Sequence, residues 1–177
     1  MMRFLVLAAL IAAPAAAQVP AFHPGPVFAD IAPIATIASD MAIPPGAVFK
    51  VTYDVTAQSP AGTPNRAFET SARFINGHVE AGVPEADINV AYVVHGKAII
   101  DLLNAQAYAA RSGGKTNATA ALVAKLLAHR VNFYVCGQSA VGQGIAKTDL
   151  LPGVKMAISA SSAHALLGMQ GYTLIPF

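Results

Sequence analysis

The chain has 177 residues, which suits one domain, and its 11 basic and 9 acidic residues leave a net charge of only +2. With 11% charged residues and no cluster of basic side chains, the composition excludes a nucleic-acid-binding protein that relies on a basic surface. The single cysteine excludes an internal disulfide, so a hydrophobic core must hold the fold.

Residues 1–17, MMRFLVLAALIAAPAAA, have the organisation of a secretory signal peptide. Arg3 supplies a positive start, an apolar run follows, and the alanines that end at Ala17 form a small-residue cleavage site. The apolar run is shorter than a bilayer span, which makes an uncleaved anchor the weaker alternative. We therefore expect cleavage after Ala17, a periplasmic or secreted location, and no membrane association of the mature protein.

Residues 18–46 are rich in proline and have no sustained hydrophobic period. This pattern is typical of an extended arm. The stretch FADIAPIATI within it is apolar enough to pack. We therefore expect the arm to lie over the surface of its own domain or over a neighbouring subunit.

Strand and helix patterns alternate about five times over residues 47–177. The strand candidates are VFKVTYDV, DINVAYVVHG, VNFYVCG, VKMAIS and YTLIPF. The helix candidates are residues 66–83, a short segment near 98–103, residues 117–129, and residues 163–170 with a cap at Ser161 or Ser162. NAQAYAARSGGKTN is predicted to be a connection, and QSAVGQGIA a short helix or turn. The alternation indicates an α/β domain, a three-layer sandwich around a mainly parallel sheet of about five strands.

Four segments in this order carry a resemblance to a known family: VVHGKAIIDLLNAQAY, LLAHRVNFYVCGQS, GIAKTDLLPGVKMAISA and LLGMQGYTLIP. Together they resemble the DsrE/DsrF-like family of sulfur-metabolism proteins, in its branch that carries a signal peptide. The resemblance covers residues 48–177 and implies a flavodoxin-like fold. It also implies a homo-oligomer, a trimer or hexamer, and protein partners that donate or accept sulfur. Some members of the family carry sulfur as a persulfide on a cysteine, while others have lost that cysteine.

Two polar residues stand where predicted strands end, and each is followed by a glycine. His95 closes AYVVHG and Cys136 closes NFYVCG. Because ligands of parallel α/β sheets gather at the carboxyl ends of strands, these two residues are the candidate site. A helix that starts near Gln138 would lower the pKa of the thiol, and Gly137, Gln138 and Ser139 could then bind a sulfur anion. Cys136 is the predicted sulfur-carrying residue, and His95 with residues 137–139 are the predicted binding residues.

Three alternatives remain open at this point. Cys136 could be an inert core thiol in an oligomeric binding or structural module, because free cysteines are often buried. Cys136 and His95 could instead form a metal–thiolate site, although no spacing in the sequence indicates metal ligands. Asp101, Asn104 and Tyr108 share one face at helical spacing, and a solvated helix face is the simplest interpretation. No cofactor motif is present, which favours a carrier over a turnover enzyme.

Overall fold

The fold is taken from a computed structural model, which describes residues 19–176. The predicted signal peptide at residues 1–17 lies outside the described residues. Five strands form one sheet: β1 (Phe49–Val55), β2 (Ile88–Val94), β3 (Asn132–Cys136), β4 (Lys155–Ala157) and β5 (Thr173–Ile175). The helices are α1 (Glu69–Glu80), α2 (Ala105–Arg111), α3 (Ala120–Ala128), α4 (Gly137–Gly142) and α5 (Ala160–Met169).

The sheet has the strand order β4-β3-β2-β1-β5, and every neighbouring pair is parallel. β2, in the centre, is buried along almost its whole length, because layers cover both of its faces. Its continuous apolar sequence INVAYVV is the pattern that such a strand requires. The predicted α/β sandwich around a parallel sheet of five strands is confirmed.

The two faces of the sheet are covered unequally. The large core cluster joins one face to α1, α3, α4 and the segment after β2, through residues such as Phe68, Leu126 and Ala140. The opposite face has a small cluster in which α5 contributes the buried Ala163 and Leu167. One face is therefore sealed by several elements, and the other mainly by α5.

The helices depart from the sequence prediction at two places. The segment predicted as a connection contains α2, because Asn104 caps it through a hydrogen bond from the Ala107 N–H. The cap of α5 is Ser159 and not Ser161 or Ser162, because only Ser159 accepts the Ser162 N–H.

The prediction that Asp101, Asn104 and Tyr108 share a solvated helix face is wrong. Asp101 and Tyr108 are almost completely buried and belong to different elements, a 3₁₀ turn over Gly96–Leu102 and α2. The Asp101 carboxylate accepts hydrogen bonds from Ser59 and Asn65, so it anchors the loop that follows β1. Burial raises the pKa of Asp101, although these hydrogen bonds oppose the increase.

The proline-rich arm lies over its own domain. Asn76 of α1 is fully buried and accepts hydrogen bonds from the N–H groups of Val27 and Phe28. Its amide also donates to the carbonyls of Phe28 and Ala32. Phe28 joins the large core cluster, so the arm is part of the folded domain. No helix among residues 19–176 is both long and apolar enough to cross a membrane.

Replacing Asn76 should release the arm. We expect Asn76→Ala to lower the free energy of unfolding by at least about 2 kcal/mol, because it strips partners from buried backbone groups. Urea titration followed by circular dichroism measures the change. Asn89→Ala, which removes a single half-buried bond of 3.3 Å, is the control and should cost less than about 1 kcal/mol. An Asn76→Ala protein as stable as the wild type would contradict this account of the arm.

Candidate functional site: a thiol at the carboxyl edge of the sheet

The predicted site residues Cys136 and His95 lie side by side at the carboxyl edge of the sheet. Val94 of β2 pairs with Val135 of β3, so the next residue of each chain segment occupies an equivalent position. Cys136 comes two residues after Tyr134, which packs on the face covered by α5. Because side chains alternate along a strand, the thiol faces α5 as well. His95 comes two residues after Val93, a member of the same small cluster, and faces the same way.

The thiol stands at the point where the chain changes faces. α4 follows β3 and packs through Ala140 into the large core cluster, whereas α5 follows β4 and packs through Ala163 on the opposite face. In open α/β sheets, such a switch between neighbouring strands opens a crevice in which ligands bind. Cys136 and the starts of α4 and α5 meet at this switch.

The thiol is surrounded by hydrogen-bond donors. Cys136 is the N-cap of α4, and the Ser139 N–H donates to its Sγ at 3.4 Å. The Ser139 hydroxyl and the backbone N–H groups of Gln138 and Ala160 lie near the same sulfur as further donors. The Ser139 Oγ in turn accepts the Gly96 N–H at 3.2 Å, which ties the thiol to the loop after β2. Of the predicted binding residues, Gln138 and Ser139 therefore contact the sulfur, and His95 does not bond to it.

These donors lower the pKa of the buried Cys136 thiol. Cys136 is only 6% exposed, yet neither apolar cluster of the described chain includes it. Burial raises the pKa of the Cys136 thiol, but the hydrogen bonds from Ser139, Ala160 and Gln138 outweigh burial and hold the pKa below its ordinary value. The arrangement therefore favours a thiolate, the nucleophilic form of cysteine.

Beside the thiol, Asp54 of β1 joins two histidines. Its carboxylate lies 2.9 Å from His95 Nε2 and 2.8 Å from His164 Nε2, and His164 belongs to α5. Burial raises the pKa of Asp54, but hydrogen bonds from His164 and His95 outweigh that effect and lower the pKa. Asp54 therefore stays ionised at neutral pH and acts as the shared acceptor of both imidazoles.

The orientation of His164 follows from these contacts. An ionised carboxylate can only accept, so the Nε2 atom of His164 carries the proton. Its Nδ1 atom is buried and has no hydrogen-bond partner anywhere in residues 19–176. A second proton on Nδ1 would be a buried donor without an acceptor, which is costly.

A crevice opens beside this group of side chains. It has a volume of about 490 Å³ and is lined by Asp54, Thr56, His95, Ala160, Ser161, His164, Leu174 and Pro176. Ala160 lines the crevice and lies near the Cys136 sulfur, so the crevice reaches the start of α5 beside the thiol. A second cavity of about 480 Å³ lies between the arm and α1, on the far side of the sheet from the thiol.

Two glycines allow the close packing at this edge. Gly96 has a φ of +57°, a conformation that side chains disfavour. At Gly137, an added Cβ atom would lie 2.7 Å from the Ala157 carbonyl oxygen. The predicted binding residue Gly137 thus has a steric role, because it lets α4 start against the end of β4.

No group of three or more His, Cys, Asp or Glu side chains within residues 19–176 is arranged to hold a metal ion. His95 Nε2 bonds the Asp54 carboxylate, and the Cys136 sulfur accepts the Ser139 N–H.

Asp54 and His164 were not predicted as site residues from the sequence. They lie 110 residues apart in the chain, and neither belongs to a recognisable motif. One signal was present for Asp54: it is a charged residue near the carboxyl end of a strand that is otherwise largely buried. Nothing in the sequence of α5 distinguishes His164 from the other scattered histidines.

The comparisons with known proteins agree with this architecture. A family model described as the DsrE/DsrF-like family matches residues 47–177. The chain therefore belongs to the DsrE/DsrF-like family, which is related to sulfur-metabolism proteins, and the family predicted from the sequence is confirmed. No curated protein matches the chain.

Two solved structures are similar to the chain. One is a protein of unknown function, MTH1491, from Methanobacterium thermoautotrophicum, with 15% identity and a TM-score of 0.53 over 73% of this chain and 99% of that one. The other is the ychN protein from E. coli, with 17% identity and a TM-score of 0.49 over 73% of this chain and 100% of that one. At this low identity, the first similarity supports the fold alone.

A methyl group at residue 137 should disturb the packing of α4 against the end of β4. We expect Gly137→Ala to destabilise the protein by about 1–3 kcal/mol, because a backbone carbonyl must move to admit the new Cβ atom. Gly142→Ala, in the same helix, is the matched control: its Cβ atom would meet nothing within 4 Å. Thermal unfolding of both variants measures the difference. Equal stability of the two variants would show that the close approach at Gly137 is not a constraint.

The rate of alkylation should report the ionisation of the thiol. We expect the rate of reaction of Cys136 with iodoacetamide to have its pH midpoint below the ordinary thiol pKa of about 8.5. Ser139→Ala should move the midpoint upward, because the variant loses the hydroxyl donor. Ser162→Ala removes a hydroxyl from α5 and should leave the midpoint unchanged. A midpoint at or above the ordinary value in the wild type would refute the assigned donors.

Proposed function

We propose that this protein is a sulfur carrier that accepts a sulfur atom on Cys136 as a persulfide and passes it to a partner protein. The observation that carries the proposal is the set of donors around Sγ, which lowers the pKa of a buried thiol and so favours the thiolate. Membership of a family related to sulfur-metabolism proteins supports the same reading.

The chemistry needs only an exchange of sulfur–sulfur bonds. The Cys136 thiolate attacks the outer sulfur of a donor persulfide, so one S–S bond forms, the donor's S–S bond breaks, and the donor leaves as a thiolate. An acceptor thiolate then attacks the outer sulfur on Cys136, which releases the Cys136 thiolate again. The carrier is neither oxidised nor reduced over the cycle, and no cofactor takes part.

The neighbouring residues suit this exchange. The N–H groups that bond Sγ and the hydroxyl of Ser139 would also stabilise negative charge on a bound persulfide. His95, held by Asp54, stands at the equivalent position on the next strand and would exchange protons with the sulfur through a water molecule in the crevice. The protein would act as a carrier more than as a turnover enzyme.

Export and assembly belong to the same proposal. We infer a periplasmic or secreted protein, cleaved after Ala17, because residues 1–17 have the pattern of a signal peptide. We also infer a homo-oligomer, a trimer or hexamer by family resemblance. Exposed apolar side chains support an assembly: Ile158 is 77% exposed, Leu166 53% and Met169 84%.

A second function is favoured by one observation, the low exposure of the thiol. With Cys136 only 6% exposed, the protein could be an oligomeric binding or structural module in which the thiol is part of the packing. The two functions differ in whether Cys136 gains sulfur while the protein remains folded.

The deciding measurement is intact-mass spectrometry of the mature protein after incubation with polysulfide. A carrier should gain one or more sulfur atoms that a reducing thiol removes, and a Cys136→Ser control should gain none. Since the chain has a single cysteine, the mass reports this thiol directly. A wild-type protein that gains no sulfur, and whose thiol resists alkylation until it is unfolded, would favour the structural module.

A further inference from the structure

The first turn of α5 covers the thiol. Cys136 faces the side of the sheet on which α5 packs, and the Ala160 N–H at the start of α5 lies near its sulfur. The low exposure of Cys136 therefore depends on where this turn sits. A sulfur donor that reaches the thiol has to displace the turn or pass beside it.

α5 lies close against β2, β3, β4 and β5, and few polar side-chain bonds reinforce this packing. Its buried apolar side chains are Ala163 and Leu167. Lys50 Nζ bonds the Gln170 carbonyl at 3.0 Å, just beyond the end of the helix. Near the first turn, the side-chain tie to the sheet is the 2.8 Å bond from His164 to Asp54. A longer contact of 3.4 Å joins Gln138 to the Ile158 carbonyl in the preceding loop.

We propose that Asp54 and His164 are positioning residues that hold the first turn of α5 closed over Cys136, and that breaking their bond is the step that admits a sulfur donor. The crevice of about 490 Å³ beside this turn is the approach path, since Ala160, Ser161 and His164 form one of its walls. The importance of the opening for sulfur transfer rests on the proposed carrier function, whereas the opening itself does not.

The arrangement makes the opening reversible. When His164 moves away, Asp54 keeps its 2.9 Å bond to His95, so the carboxylate does not lose its charge partner. His164 has no competing partner among residues 19–176, because its Nδ1 atom is unbonded there. Asp54 is thus a fixed acceptor to which His164 can return.

The experiment measures access to the thiol, not sulfur transfer. The rate of carbamidomethylation of Cys136 by iodoacetamide is followed by intact mass between pH 6 and pH 10, the range that spans ordinary thiol ionisation near about 8.5. The plateau rate at high pH is compared among variants. At the plateau every thiol is ionised, so differences in rate report access and not thiol pKa. Dilute urea, below the unfolding transition, is varied in parallel.

We expect His164→Ala to raise the plateau rate roughly five- to thirtyfold. This is the effect of losing about one or two kcal/mol of the free energy that favours the closed turn over the open one. His164→Gln should return the rate toward that of the wild type, because its amide can donate to Asp54. Asp54→Asn gives a second test if His164→Ala does not fold. The matched control is Glu85→Gln, which weakens a similarly exposed His129–Glu85 pair of 3.0 Å at the other end of the sheet. It should leave the rate unchanged.

The rate should also be nearly independent of dilute urea, since opening one turn exposes little surface. The proposal is overturned if His164→Ala alkylates at the wild-type rate, or if Glu85→Gln accelerates the reaction equally. It is also overturned if the rates follow global unfolding in urea. Sulfur loading is measured separately: a thiol freed by His164→Ala that still takes no sulfur refutes the carrier and leaves the role of His164 intact.

Discussion

The parallel register of β1, β2 and β3 is the constraint on which the candidate site depends. Asp54 pairs with Val93, and Val93 pairs with Tyr134, so these three positions share one face of the sheet. His95 and Cys136 come two residues after Val93 and Tyr134 and therefore lie on that face too. A slip of one residue in either ladder would turn one of these side chains to the opposite face. The buried valines that fix the register thus contribute to the site without touching the thiol.

The crossing of the chain after β4 supplies the second requirement, which is polarity around a buried sulfur. A thiol enclosed by apolar side chains has a raised pKa and is inert. Here α4 and α5 lie on opposite faces, and both start beside Cys136, so backbone N–H groups of two helices lie near one sulfur. Burial ordinarily raises the pKa of a thiol and so disfavours the thiolate. In this topology, hydrogen-bond donors at the buried sulfur offset that effect. A thiolate protected in this way would suit a carrier that must keep its sulfur from unspecific exchange.

The sequence predicted the fold and half of the candidate site. Alternating patterns sufficed for the parallel sheet, because each strand carries its own apolar signal. His95 and Cys136 could be singled out because each ends a strand before a glycine. Asp54 and His164 could not, since their contact joins distant segments and exists only once α5 has docked. α2 was missed because its apolar stripe is weak and its start depends on the single cap Asn104. The burial of Asp101 was missed because its partners, Ser59 and Asn65, lie in a loop without periodicity.

The thin layer formed by α5 links access to the thiol with assembly. Its inner side carries Ala163 and Leu167 against the sheet, and its outer side exposes Leu166 and Met169. A subunit that covers the outer side would press the helix onto the sheet and so stabilise the closed turn over Cys136. A partner that competes for that side would have the opposite effect, because α5 would then be held only by its packing on the sheet and by few polar bonds. If the proposed oligomer uses this surface, the state of assembly then sets how readily the sulfur on Cys136 is exchanged, by linkage between the two equilibria.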